Sequence, residues 1–314
     1  MKKILISTLC LLSLSTITIK AQQAIAVLHH EGKATVYTSA QFNNAFEAAV
    51  DGDTIFLSEG VISNTEDLTI SKKISVIGAG MGTYIAKNVK ITAAPESAHV
   101  LKNVDIGGSL NIEAIPNQTL ISQCRIGNEL FLGNTHEYPT IVDRCYIKQL
   151  YLNSNPINVV NSKIELVLGQ SSPSQATITN CNIQKMNNEN GSGWSYTLEA
   201  TYTNCLINDF YNYEGTYSNN TTFINCLIHG DESQPTISNT LRRNCWYVDS
   251  TFMDTDLEAT ISLASYTGTD GTVIGCNGGA APYTLTPSVP RVTNQTISVD
   301  NTQKTLNVTL TIGN

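Results

Sequence analysis

Charge is what this chain has least of. Only 14% of its 314 residues are Asp, Glu, Lys or Arg, and the balance is acidic, 26 carboxylates against 18 Lys and Arg. An average soluble protein carries roughly 25% charged residues. A phosphate-binding groove needs clustered cations, so no nucleic-acid partner is expected. Long apolar runs are also missing beyond the first residues, and without roughly 20 consecutive apolar residues no membrane insertion is expected. No Cys-x-x-Cys and no Cys/His pair with zinc-ligand spacing occurs. What is present is 41% apolar content, ample for a core in a chain this long. Its surface must be wetted mostly by uncharged polar groups, asparagine supplying 31 residues.

The amino terminus reads as an address. Lys2 and Lys3 precede an apolar run from Ile4 to Leu14, and a polar stretch ends at Ala21, the order of regions in a secretory signal peptide. Residues 1–21 are therefore expected to be removed and the rest exported to the periplasm, the cell surface or the medium.

Six of the seven later cysteines share a frame of a polar residue, Cys, a variable residue, then Ile or Tyr: Cys124, Cys145, Cys181, Cys205, Cys226 and Cys245. Asn103-Val104-Asp105-Ile106 and Asn161-Ser162-Lys163-Ile164 fit when the Cys slot is relaxed. The slots then recur every 17 to 24 residues, the signature of a repeat architecture. Apolar residues two apart make each unit a strand, and about 20 residues leave no room for a helix. Short apolar pieces such as Leu130-Phe131-Leu132 and Leu150-Tyr151-Leu152 supply a second strand. Coiling such units stacks equivalent positions about 4.8 Å apart. The predicted fold is all-β, a parallel β-helix of about 11–13 coils over residues 22–290. Thiols stacked at that spacing are too far apart for a preferred disulfide, so the cysteines read as small core fillers, with disulfides the alternative. The asparagines before the slots are expected to stack as an amide ladder. Phe42, Ala45, Phe46 and Ala49 after Ser39 predict a short amino-terminal capping helix over 39–50 with Ser39 as N-cap. Residues 291–314 alternate around Asp300-Asn301 and predict a hairpin-like segment packed on the last coil.

The helix followed by Gly52-Asp53-Thr54-Ile55-Phe56-Leu57-Ser58-Glu59-Gly60 and Ile74-Ser75-Val76-Ile77-Gly78-Ala79-Gly80 resembles the opening of secreted bacterial right-handed β-helix proteins of the pectin-lyase-like superfamily. Gly268-Thr269-Asp270-Gly271-Thr272-Val273-Ile274-Gly275, with Pro282-Tyr283-Thr284-Leu285, resembles the way such chains close. The resemblance implies a right-handed coil and a polysaccharide lyase, a glycoside hydrolase, an adhesin or a non-catalytic surface protein. The hydrolases' Asn-Thr-Asp, Asp-Asp and Gly-His-Gly blocks are absent, as are the lyases' tryptophan and aspartate blocks.

Candidate chemistry is thin. Asp254, Asp256 and Glu258 present alternating oxygens that could hold calcium, which wants six to eight; a solvated loop is the plainer reading, and no other cofactor is expected. Asp143 with Arg144, and Asp231 with Glu232 near His229, could be brought together by stacking. Arg242 and Arg243 offer a base or an anion clamp, or an exposed pair without a role. His29, His30, His99 and His136 show no partner pattern and read as surface residues. The aromatics say more: Trp194, Tyr196, Tyr202, Phe210, Tyr211, Tyr213 and Tyr217 crowd the longest repeat. Flat rings with polar tips suit sugar faces, and extended loops on a rigid scaffold carry binding residues. Trp194, Tyr196, Tyr211, Tyr213 and Tyr217 are the candidate ligand-binding residues, with packing against the coil the alternative. The expected function is a binding or adhesive surface for a glycan, with an undetected lyase or hydrolase activity and a structural envelope role as rivals.

Overall fold

The computed structural model describes residues 26–313 except 64–65, 93–98, 114–117, 134–137, 170–174, 188–199, 212–220, 232–239, 288–290 and 301–304, and the backbone alone for 291–313. The chain is a parallel β-solenoid with two long walls. The first wall is a 12-stranded sheet whose parallel part runs from Thr54–Leu57 to Leu241–Arg243. The second is a 14-stranded sheet from Gly60–Ile62 to Trp246–Val248. Ten parallel strands stack in the first wall, short of the 11–13 coils expected. The two strands beyond them, Ala26–His30 and Lys33–Tyr37, run antiparallel instead.

Each wall is built from columns of one kind of side chain. In the second wall Ile62, Ile85, Ile106, Ile126, Ile147, Ile164, Ile183, Ile207 and Ile228 follow one another in unbroken register. In the first wall the inward column runs from Ile55 and Val76 through Ile178 to Tyr202 and Phe223, and all of these are buried. β-branched side chains suit such a stack because their stiff χ1 holds them upright on the pleated wall. A slip by one residue would turn every one of them to solvent.

A single backbone device joins the walls. Asn103, Gln123, Arg144, Asn161, Asn180, Asn204, Asn225 and Asn244, the residues just before the slots, all have positive φ between 46° and 57°. Left-handed backbone costs most L-residues roughly 1–2 kcal/mol, and Asn is the usual non-Gly exception. The polar position of the repeat is therefore a corner, and its asparagines are chosen for their backbone.

The slot that follows is buried at seven of its eight positions, Cys245 at the last rung being half-buried. Each Cys Sγ lies 3.3 to 3.6 Å from the carbonyl two residues back, for example Cys124 to Ser122 and Cys181 to Thr179. Ser162 Oγ donates to Val160 in the same way at 2.7 Å and accepts the Cys145 N–H at 3.0 Å. The slot thus selects a small donor as well as a small volume. The described cysteines are all free thiols, and burial pushes Cys145, Cys205 and Cys226 well above the ordinary thiol pKa.

Both ends of the tube are closed. At the amino end a 3-10 turn, Ser39–Gln41, leads into the helix Phe42–Ala48, whose Phe42, Ala45 and Phe46 are buried. Gln41, not Ser39, is the N-cap residue, and no side chain caps it. Lys72 from a following coil donates to the carbonyls of Phe46, Glu47 and Ala49 at the helix C-terminus, where a cation also meets the negative end of the helix dipole. The antiparallel pair before the helix turns at Glu31-Gly32, both at positive φ (46° and 78°), as a two-residue hairpin loop requires. There His30 Nδ1 meets Asp53 Oδ1 at 2.7 Å, which raises the His30 pKa. Burial pushes the Asp53 carboxyl up, but the Val50 N–H and His30 outweigh it and hold it below its usual range. At the other end Arg242 follows Phe223 in the inward column of the first wall, and Tyr247 follows Ile228 in the second. Arg242 donates to the Tyr247 hydroxyl at 3.4 Å. This places Arg242 over the end of the core rather than in an exposed pair. A charge pointed inward at a sheet edge is also a guard against edge-to-edge pairing.

After the last rung the chain doubles back. Residues 249–287 lie along the corner row and the outside of the second wall, and Pro287 reaches Gly80 near the amino end. Arg291–Asp300 and Thr305–Gly313 then form an antiparallel pair that, among the described residues, is a two-stranded sheet of its own.

Candidate functional site

Among the described residues the returning strap makes the side-chain contacts of greatest sequence separation. Asn204 Oδ1 accepts the Thr269 N–H at 2.9 Å. Asn161 Nδ2 donates to Gly278 at 2.7 Å, and Gln123 Nε2 to Thr286 at 2.7 Å. On the adjacent strand Asn182 donates to Leu257 and accepts from Cys276 at 2.7 and 2.8 Å, and Asn208 Oδ1 accepts the Phe252 N–H at 2.8 Å. The asparagines before the slots were expected to bond to one another; at these positions their amides bond to the strap instead. A free amide at a left-handed corner points away from the coil, where a second backbone can meet it.

The variable position of the repeat, one residue after the slot, is also covered. Leu206, Leu227 and the half-buried Trp246 pack with Phe252, Met253 and Ile274 of the strap into a second apolar cluster. Tyr146, Lys163 and Asn182 occupy the same position on earlier rungs. Lys163 Nζ, its side chain only 6% exposed, meets Glu258 Oε1 at 2.5 Å and the Asp256 carbonyl at 2.8 Å. It also stands 4.9 Å from the centroid of the Tyr283 ring. Cys276 lies beside this group, and burial pushes its thiol up to about 12. Tyr146 donates its hydroxyl to Glu165 on the same wall.

The calcium candidates Asp254, Asp256 and Glu258 lie on the strap. Asp254 Oδ1 accepts the N–H groups of Asp256 and Glu258, both at 2.9 Å, and Glu258 turns to the ammonium of Lys163. Of the three carboxylates, that of Glu258 meets a side-chain cation of the solenoid. Among the described residues no group of three or more His, Cys, Asp or Glu side chains is placed to share a metal ion.

Three other carboxylates of the walls are paired with cations. Asp143 binds Arg144 at 2.7 Å, Asp105 binds Arg125 at 2.9 Å, and Glu113 binds Lys90 at 2.7 Å. His229 Nδ1 contacts the Asn208 carbonyl at 2.8 Å. His99, expected at the surface, is 2% exposed and points into the coil, where neither ring nitrogen has a hydrogen-bond partner among the described residues. Burial lowers its pKa. His29 is exposed, and His136 and Glu232 lie outside the described residues.

The aromatic cluster divides. Tyr202 and Phe210 are buried and pack on Phe223, with ring centroids at 5.2 and 5.6 Å, so these two are core. Tyr211 is placed in a short strand, Phe210–Tyr211, in register with Asn187. Trp194, Tyr196, Tyr213 and Tyr217 lie outside the described residues. The segments that contain them, 188–199 and 212–220, lead in sequence straight into Ala200–Thr203 and Thr222–Ile224 of the first wall. One cleft, of about 380 Å³, opens at the amino end between the capping helix and the first coils, lined by Asn43, Glu47, Glu66, Asp67 and Lys72 among others. Asp67 there accepts from Asn88 at 3.1 Å.

No family model, no curated protein and no solved structure matches this chain. Its chemistry must therefore be read from its own residues.

Proposed function

We propose that this protein is an exported β-solenoid of pectin-lyase-like descent that binds glycan and uses the tube as a rigid display surface. The observation that carries this reading is positional. The two segments richest in Trp and Tyr lie outside the described residues, and in sequence each precedes a strand of the first wall, on adjacent rungs, while the strap occupies the opposite corner and the second wall. Binding residues are well served by loops held on a stiff scaffold, and aromatic rings pair with the apolar faces of sugars while their polar tips reach hydroxyls. Such binding needs no cofactor. Within the same reading, the thiol file serves packing, since buried thiols raised far above neutral pH are poor nucleophiles.

The test is a glycan array with the wild-type chain and a Trp194→Ala, Tyr211→Ala, Tyr213→Ala variant whose melting temperature is unchanged. Retention of glycan by the wild type and its loss in the variant support the proposal. Release of new reducing or unsaturated ends from a bound polysaccharide would replace it with the lyase or hydrolase reading.

A further inference from the structure

The outward face of the first wall holds a regular array that the repeat frame does not announce. On successive rungs Asn158, Thr177, Thr201 and Thr222 stand in one column. Thr179 and Thr203 stand side by side in the next, between Val160 and Ile224. Columns two residues apart along a strand are separated by about 6.6 Å, and rungs by about 4.8 Å. All six of these polar side chains are exposed or half-buried. Thr177 Oγ1 donates to Asn158 at 2.7 Å. Among the described residues, no protein group takes the hydroxyls of Thr179, Thr201, Thr203 and Thr222.

The array is free of charge over four rungs and then stops. In the Thr179 column the sequence of neighbours is Asp143, Val160, Thr179, Thr203, Ile224 and Arg243, so a charge bounds it at each end. Inside those bounds every threonine offers one methyl and one hydroxyl, held upright by a stiff χ1. Such a surface loses less on dehydration than a charged one. Its donors and acceptors are already arranged, so ordering costs on binding are small. Its repeat along the tube axis is set by the strand spacing, which is comparable to the advance of a pyranose unit in an extended chain.

From this we propose that the threonine array is the seat of an unbranched, uncharged polysaccharide chain lying along the solenoid axis, its hydroxyls meeting the Thr hydroxyls and its ring C–H faces meeting the methyls. The inference rests on the glycan-binding reading above and narrows it: the ligand is neutral, and the threonine face of the first wall holds it.

The experiment measures depletion of the full chain from solution by suspended cellulose, chitin and linear β-glucan, with polygalacturonate and alginate as acidic comparators. A Thr179→Val, Thr201→Val, Thr203→Val variant keeps shape and β-propensity while removing three hydroxyls. A Thr203→Glu variant adds one charge to the same face. Melting temperature serves as the folding control for both. A loss of about tenfold or more in binding to a neutral polymer by each folded variant is expected. If the valine variant binds like wild type while the aromatic variant does not, the array is overturned and glycan binding stands. Preference for the acidic polymers also overturns it. Binding of no glycan by the wild type removes both readings, and a dimer lost in the valine variant would assign the face to a second copy instead.

Discussion

Lys163 and Glu258 lie 95 residues apart in sequence and meet at 2.5 Å, the ammonium almost wholly buried and the carboxylate half exposed. The pair fastens the returning strap to the middle of the solenoid. Removing only the carboxylate leaves a buried charge without its partner, which is costly, whereas removing the charge itself is often neutral. With the exposure of Glu258 discounting the Coulomb part, Glu258→Ala should cost about 1–2 kcal/mol, and Lys163→Met less. Urea midpoints give the ranking, and limited proteolysis should cut residues 249–287 first in the alanine variant. Equal midpoints for Glu258→Ala and wild type would show that the pair does not hold the strap.

The strap's glycines separate conformational cost from steric cost. Gly271 (φ +78°) has nothing within 4 Å of an added Cβ, whereas at Gly275 (φ +89°) the Cβ would stand 2.5 Å from Asn182 Oδ1 and 2.9 Å from Leu206. Gly271→Ala should cost only the left-handed backbone, about 1 kcal/mol, and Gly275→Ala at least about twice that. Thermal denaturation of the two variants checks the order.

The corner row makes a cleaner claim about backbone. Asn244, at φ 53°, should tolerate Gly within a few tenths of a kcal/mol and lose roughly 1–2 kcal/mol as Ala. If Ala and Gly are equivalent there, left-handed conformation is not what selects Asn at the corner.

Arg242 closes the core at the last rung, next to Leu241, which is 58% exposed. An Arg242→Leu variant continues the apolar column to the open edge, and exposed flat edges pair with other chains. Light scattering should detect concentration-dependent association in the variant and none in wild type at the same concentration.

His99 sets one pH dependence. Its folded pKa is depressed, so the unfolded chain binds the proton more readily, and stability must fall as pH drops below about 6.5, the unfolded value. His99→Leu removes that slope and two buried polar atoms lacking partners, so its urea midpoint should be higher than wild type and flatter between pH 7.5 and 5. The His30–Asp53 contact acts with the opposite sign. The raised His30 pKa gives stability that is present below about 6.5 and lost as pH rises through the folded value; His30→Gln should remove that part, together with the share of the Asp53 lowering that His30 supplies.

The repeat was legible because stacking demands the same residue type at the same position on every rung. Slots 104 to 245 and the Ile or Tyr two residues later therefore appear in the sequence as they do in space. The reading failed where a position is set by a partner remote in sequence. Arg242 looked like a surface charge because nothing local marks the end of a column. His99 looked exposed because a strand of four residues gives too little alternation to fix its face. The strap was hidden for the same reason, although one signal was available: the variable position turns apolar at Leu206, Leu227 and Trp246, which an uncovered wall would not favour.

The sequence by itself determined a coiled parallel wall, its period and its inward columns, because strand periodicity and register are local properties repeated many times. Only the tertiary structure decided which outer surfaces the returning strap covers. The path of residues 249–287 depends on contacts between segments that share no pattern, and among the described residues those contacts fall on the corner asparagines and the second wall rather than on the threonine face of the first.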